Sequence, residues 1–166
     1  MAGEAGHIRL AEDGPIGYGK DGSFEGFCSG GGIAQLGQVM AEEALDREEI
    51  PSFCQSKGEL FKVNARTIAE AAEKGDPLAL KIYDIVADRL GQGLAILVDL
   101  LNPEKIVIGS IFLRQEKLLR PRMEKILNKE ALDQSLSVVE VVPAGLGEKL
   151  GDYAAVSVGL RAYQKK

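Results

Sequence analysis

Gly3-Glu4-Ala5-Gly6-His7, followed by Gly17-Tyr18-Gly19-Lys20-Asp21-Gly22-Ser23-Phe24-Glu25, is the stretch around which the rest of the chain is organised. It gathers carboxylates and the only histidine of the protein into one glycine-dense segment. Glycine lets backbone turn tightly and approach a ligand closely. A carboxylate accepts hydrogen bonds, and an imidazole both donates and accepts them. That is equipment for gripping a polyhydroxylated ligand such as a sugar. Residue types alone fit an exposed loop with scattered charges and a solvated histidine equally well.

The order Gly-Glu-x-Gly-His, an Asp-Gly turn, a Gly-x-x-Gly segment ending in Glu, then Ser29-Gly30, resembles the ROK family (repressors, open reading frames and sugar kinases). The resemblance implies that Glu4, His7 and Glu25 contact a sugar. In typical members the second signature reads Cys-x-Cys-Gly-x-x-Gly-Cys-x-Glu, and its three cysteines join the histidine on a structural zinc. Here those positions hold Ile16, Tyr18 and Ser23, while Gly19, Gly22 and Glu25 are kept. None of the three substitutes is a usual zinc ligand. The loop is therefore expected to be metal-free, with His7 held by hydrogen bonds.

Working outward, 166 residues suffice for one domain with one sizeable core. With no Trp and few aromatics, that core is aliphatic. A net charge of −5 without a basic block argues against nucleic acid as a partner of this lobe. Cys28 and Cys54 form no metal-spaced pair, and no signal peptide is evident, so a cytoplasmic setting is the expectation. The longest apolar run, Gly93 to Leu101, is interrupted by Asp99 and too short to span a bilayer.

Along the chain, residues 7–10 alternate and predict a short strand. Glu12-Asp13-Gly14-Pro15 is a turn, and residues 16–23 an irregular glycine loop. Phe24 to Cys28 is one helical turn. A helix follows over about 31–47, its glycine run Gly30-Gly31-Gly32 suited either to an anion or to close packing. Asn64 caps a helix over 65–74, closed by Gly75. Asp76-Pro77 opens a long helix to Leu101, apolar every three or four residues. Gly91 and Gly93 inside it point to a close helix crossing. Asn102-Pro103 stops it. Ile106-Val107-Ile108 running into Gly109-Ser110 predicts a strand buried on both faces. Glu116 to Asn128 is amphipathic, with a kink or break expected at Pro121. Residues 137–142 predict another strand. A final helix over 151–164, rich in small residues, is suited to tight packing.

The second half also resembles the family. Gly75-Asp76 before the long helix, Asn102-Pro103-Glu104 before Ile106-Val107-Ile108-Gly109, and a closing Gly-Asp-x-Ala-Ala helix match its pattern. Where most members end the strand Gly-Gly and line an adenosine pocket with that turn, this chain has Gly109-Ser110. The resemblance implies an α/β fold, the carboxyl-terminal lobe of the actin-like ATPase (ribonuclease H-like) fold, with an incomplete mixed sheet and covering helices. One lobe is expected over 1–166, with the sugar signature in 1–30, helices in 31–101 and an α/β part in 102–166. It implies an ATP- and Mg²⁺-dependent sugar kinase acting on a hexose or N-acylhexosamine. The chain lacks the family's Asp-x-Gly-x-Thr loop, its Asn-Asp pair with the base, and its Gly-Thr-Gly-x-Gly loop. Asp21 and Asp152 fit a turn and a helix cap better than a base. The expectation is a truncated product or carboxyl-terminal lobe, inactive alone, completed by an amino-terminal lobe or a homodimer partner. The alternatives are a sugar-sensing lobe of a ROK repressor and a non-catalytic remnant.

Overall fold

The computed structural model describes residues 3–164. The polypeptide opens with a 3₁₀ turn, Ala5–His7, and a minimal hairpin of β1 (Ile16–Gly17) and β2 (Lys20–Asp21). Helices α1 (Phe24–Cys28), α2 (Gly30–Asp46), α3 (Ala65–Glu73) and α4 (Pro77–Leu101) follow. The last third alternates: β3 (Lys105–Ile108), α5 (Ile111–Glu130), α6 (Asp133–Leu136), β4 (Glu140–Pro143) and α7 (Leu150–Gln164).

Capping residues place the helix starts. Asn64 accepts from the Arg66 and Thr67 amides, and Thr67 returns a bond to the Asn64 backbone, a complete capping box. Asp76 caps α4 through the Ala79 amide and ties in the loop at Ser52. Burial alone would raise the Asp76 carboxyl; the amide hydrogen bonds of Ala79 and Ser52 outweigh it and hold the group below its ordinary value. Helix α4 stops on Asn102, which adopts the left-handed conformation.

The core is helical. Ile33 of α2, Ile68 of α3, Ile82, Tyr83, Val86 and Val98 of α4, and Leu119 and Met123 of α5 are all but excluded from solvent. Tyr83 donates its hydroxyl to the Ala65 carbonyl (3.1 Å), and burial pushes the phenol up to about 12. Gly91 and Gly93 allow the close packing that their sequence context predicts. A Cβ on Gly91 would lie 2.7 Å from the Met123 carbonyl oxygen of α5, and one on Gly93 would lie 2.6 Å from the Phe24 ring of α1. Arg122 of α5 reaches Asp84 of α4 at 2.9 Å, and Arg120 clasps Glu116, Glu124 and the Val141 carbonyl of β4.

Strands β3 and β4 pair in parallel, Ile106 opposite Val141. Several sequence expectations change here. Residues 7–10 are not a sheet strand; Arg9 makes a single bridge to Ser23. The second strand begins at Glu140, because residues 133–136 coil into α6 first. Strand β3 is covered on one face only. Ile106 and Ile108 pack on the core while Val107 is 60% exposed, since the described residues supply helices to one side of the ladder. Pro121 sits inside α5 on its exposed side without breaking it; the kink that divides α5 lies instead at Gln115 (φ −120°, ψ 26°). Helix α7 forms where expected, but residues 151–164 are exposed along its length, so its small residues are not buried against another element among the described residues.

Candidate functional site

The amino-terminal loop is assembled from hydrogen bonds to its own backbone. Leu10 and Ala11 donate to the Gly22 carbonyl, Gly22 donates to Pro15, and Phe24 donates to Ile8, so the two signatures lie side by side. A Cβ on Gly22 would sit 2.1 Å from the Ala11 carbonyl oxygen, and its φ is +62°, so glycine is required there twice over. Ser23 is buried (0% exposed) and caps α1, its hydroxyl accepting from the Gly26 amide at 3.1 Å. That cap sets the direction of α1, and with it the placement of Glu25 in the first turn.

Glu4 precedes the 3₁₀ turn and His7 ends it; both side chains are exposed. Glu25 is half-buried and crosses to the turn from α1. A Cβ on Gly6 would lie 3.2 Å from the Glu25 Cβ and 3.3 Å from its Oε2, so the carboxylate rests on Gly6, between Glu4 and His7 in the chain. The glycine at position 6 is what lets Glu25 come that near. Glu25 thus lies against the turn that carries Glu4 and His7. Cavities of about 490 Å³ and 430 Å³ lie elsewhere, against residues 113–118 and between the ends of α2 and α4.

Gly109 and Ser110 follow β3 and lead into α5. Ser110 adopts φ 54°, ψ −120°, a region that suits glycine, and its side chain makes no cap hydrogen bond. Gly30, at the start of α2, touches Ile111, which places this turn beside the glycine run. Within that run, Gly32 serves packing: a Cβ there would meet the Gly26 carbonyl oxygen at 1.5 Å. Gly31 faces open space. Asp21 is exposed and contributes its backbone carbonyl, and Asp152 lies in the exposed first turn of α7.

The three positions aligned with thiolates do not fit zinc. Ile16 offers carbon, Tyr18 is 84% exposed at φ +48°, and the Ser23 hydroxyl is committed to its cap. Among the described residues no group of three or more His, Cys, Asp or Glu side chains is placed to hold a metal ion.

The order of elements, the paired signatures and the crossing of Glu25 onto the Gly-His turn coincide with a family match: the ROK family model matches residues 1–158. The chain belongs to the ROK family. It is 31% identical over 159 residues to the N-acetylglucosamine repressor of Escherichia coli, covering 93% of this chain and 36% of the repressor. It is 32% identical over 154 residues to the glucokinase of Halalkalibacterium halodurans, covering 91% of this chain and 45% of that enzyme. Among solved structures, a ROK glucokinase from Streptomyces griseus in complex with glucose and AMPPNP superposes with a TM-score of 0.70 at 26% identity, over 89% of this chain and 48% of that one. The fold is thus that of the ROK actin-like ATPases, and the chain spans between about a third and a half of the relatives' length.

Sequence reasoning placed Glu4, His7 and Glu25 on the loop but missed the side chains that fasten it. Arg9 donates to the Glu12 and Asp21 carbonyls at 3.0 and 2.8 Å, and Lys20 to the His7 carbonyl at 2.7 Å. Gln35 of α2 donates to the Ile16 carbonyl (3.1 Å) and accepts from its amide (3.0 Å). Each of these long polar side chains meets backbone, and backbone partners leave no residue-type signal in a sequence.

Proposed function

We propose that this chain is the carbohydrate-recognising lobe of a ROK sugar kinase, cytoplasmic, binding a hexose or N-acylhexosamine through Glu4, His7 and Glu25. The observation that supports this is the Glu25 carboxylate resting on Gly6, beside the turn that carries Glu4 and His7. Two carboxylates and an imidazole around one rim accept from, and donate to, the vicinal hydroxyls of a pyranose. The rim is open, as expected for a site that a second lobe closes, expelling water as it does so. In the complete kinase ATP with Mg²⁺ supplies the phosphoryl group, the Gly109–Ser110 turn borders the nucleotide, and the base comes from outside these 166 residues.

A second reading has its own support. The N-acetylglucosamine repressor is as similar to this chain as the glucokinase is. In a repressor the same rim would sense the sugar without turning it over.

Titration of the isotope-labelled chain with glucose and with N-acetylglucosamine at millimolar concentration tests recognition. Resonance shifts should centre on residues 4–7 and 25 and vanish in Glu25→Ala. Shifts elsewhere, or unchanged in that variant, overturn the assignment. With Mg-ATP and sugar the chain alone should release no ADP above a Glu4→Ala control; clear sugar-dependent release would mean that the catalytic machinery has been misplaced.

A further inference from the structure

The loop that carries the sugar rim is built where the family's sequence pattern puts thiolates, yet its donor set cannot take a metal. It is nonetheless densely tied. Ile16 occupies the first thiolate position, and it is this residue whose amide and carbonyl are both taken by one side chain, Gln35. The pair of bonds fixes the amide's orientation, since one partner must donate and the other accept. Gln35 belongs to α2, a core helix whose Ile33 is fully buried, so the loop is fastened to the rigid body of the fold. Arg9 closes the loop across its width, joining the Glu12 and Asp21 carbonyls. Lys20 ties the hairpin to the carbonyl of His7 itself. Ser23 caps the helix that carries Glu25. The Lys20 and Ser23 links end on the elements that bear His7 and Glu25, and the Gln35 and Arg9 links on the hairpin and turn between those elements.

We propose that Gln35 is the positioning residue of this loop: its amide, clamped on both backbone groups of Ile16 and assisted by Arg9 and Lys20, holds the sugar rim in place without metal. The role in sugar binding rests on the reading of the rim given above; the clamp itself does not. Two consequences follow. Protection of the loop is independent of zinc and of chelator. It is sensitive to the chemistry of residue 35 at constant size.

Hydrogen exchange on the full chain reads both. In Gln35→Met, which keeps the length of the side chain and removes the amide, amides of residues 16–22 should exchange about tenfold faster, the scale of two lost side-chain hydrogen bonds. The interior of α4 should be unchanged, which controls for folding. Gln35→Glu supplies a chemical rescue. As a carboxylate it cannot donate to the Ile16 carbonyl; protonated, it can. After correction for intrinsic rates its loop protection should recover as pH falls below about 4, while Gln35→Met stays flat. Among the described residues, Asp21 is the one titratable side chain lining the depression beside Gln35, and Gln35→Met retains it as the control. Chelator should leave the wild-type loop unchanged. Sugar affinity measured on the same variants should fall with loop protection.

Wild-type protection in Gln35→Met, or loss of protection in the wild type on adding chelator, overturns the clamp. Wild-type protein that binds no sugar, with the exchange pattern as described, overturns the sugar reading and leaves the clamp standing.

Discussion

Gly91→Ala and Gly93→Ala test the packing that holds α4 between its neighbours. In an exposed helix either change would stabilise by about 1 kcal/mol, because glycine is a poor helix former. Here the new methyl has no room. At position 91 it would lie 2.7 Å from both the Met123 carbonyl oxygen and the Ile126 Cβ. A backbone carbonyl inside a helix cannot step aside alone, so α5 must shift as a unit. Forcing a methyl into a packed interface costs about 1–3 kcal/mol, and the upper end applies where backbone blocks it. The net expectation for Gly91→Ala is a loss of about 1–2 kcal/mol. With a urea m-value of about 2 kcal/mol/M, the midpoint should fall by about 0.5–1 M. At position 93 the obstruction is the Phe24 ring, 2.6 Å away. A ring can tilt, so the stability cost should be smaller. Phe24, however, is the first residue of α1 and adjoins Glu25. Gly93→Ala should therefore weaken sugar binding by more than its stability loss explains. Urea unfolding followed by far-UV circular dichroism, with sugar titration alongside, separates the two. A Gly91→Ala protein at least as stable as wild type would refute the close crossing.

Asp76→Ala should cost about 1–2 kcal/mol, the scale of a lost helix cap, seen in the same denaturation assay. Because the folded-state carboxyl is held below its unfolded value, this contribution is present above about pH 4 and is lost as pH falls through the folded pKa, so wild type and variant should converge in acid. Ser110→Gly should raise the melting temperature: relief of about 1–3 kcal/mol of backbone strain exceeds the roughly 0.5–1 kcal/mol entropic cost of a glycine. A lower melting temperature would mean that Ser110 is not strained. Val107, Val156 and Tyr163 are all exposed, and strand β3 turns Lys105 and Val107 to solvent. Self-association is therefore expected, most simply as a two-fold dimer; a single monomeric species by light scattering at micromolar concentration would exclude it.

The helical part was legible because its punctuation is local. Asn64, Asp76-Pro77 and Asn102-Pro103 each act on the next turn of backbone, and each falls where the helix starts or stops. The glycine crossings were legible because glycine inside a strongly apolar helix has few other uses. Strand cover was not. Ile106-Val107-Ile108 reads as buried on both sides, whereas cover depends on which helices the described residues bring to the ladder. The same holds for α7, whose composition suits packing although its residues 151–164 stay exposed. Pro121 misled because its exposed side of α5 tolerates the missing hydrogen bond, while Gln115, which carries the irregular backbone, has no local signal. At the site, glycines and carboxylates stood out by type. Arg9, Lys20 and Gln35 did not, since their partners are carbonyls and amides that every residue possesses.

Ser23 and its neighbours also set how the loop meets oxidants. A cluster of metal-bound thiolates is open to peroxide, which oxidises sulfur and releases the metal. Ile16, Tyr18 and Ser23 contain no sulfur, and the hydroxyl at Ser23 does its capping in any redox state. The two thiols of the chain, Cys28 and Cys54, are both pushed up by burial and so kept in the less reactive protonated form. The rim around Glu4, His7 and Glu25 is therefore framed by chemistry that neither peroxide nor metal starvation alters.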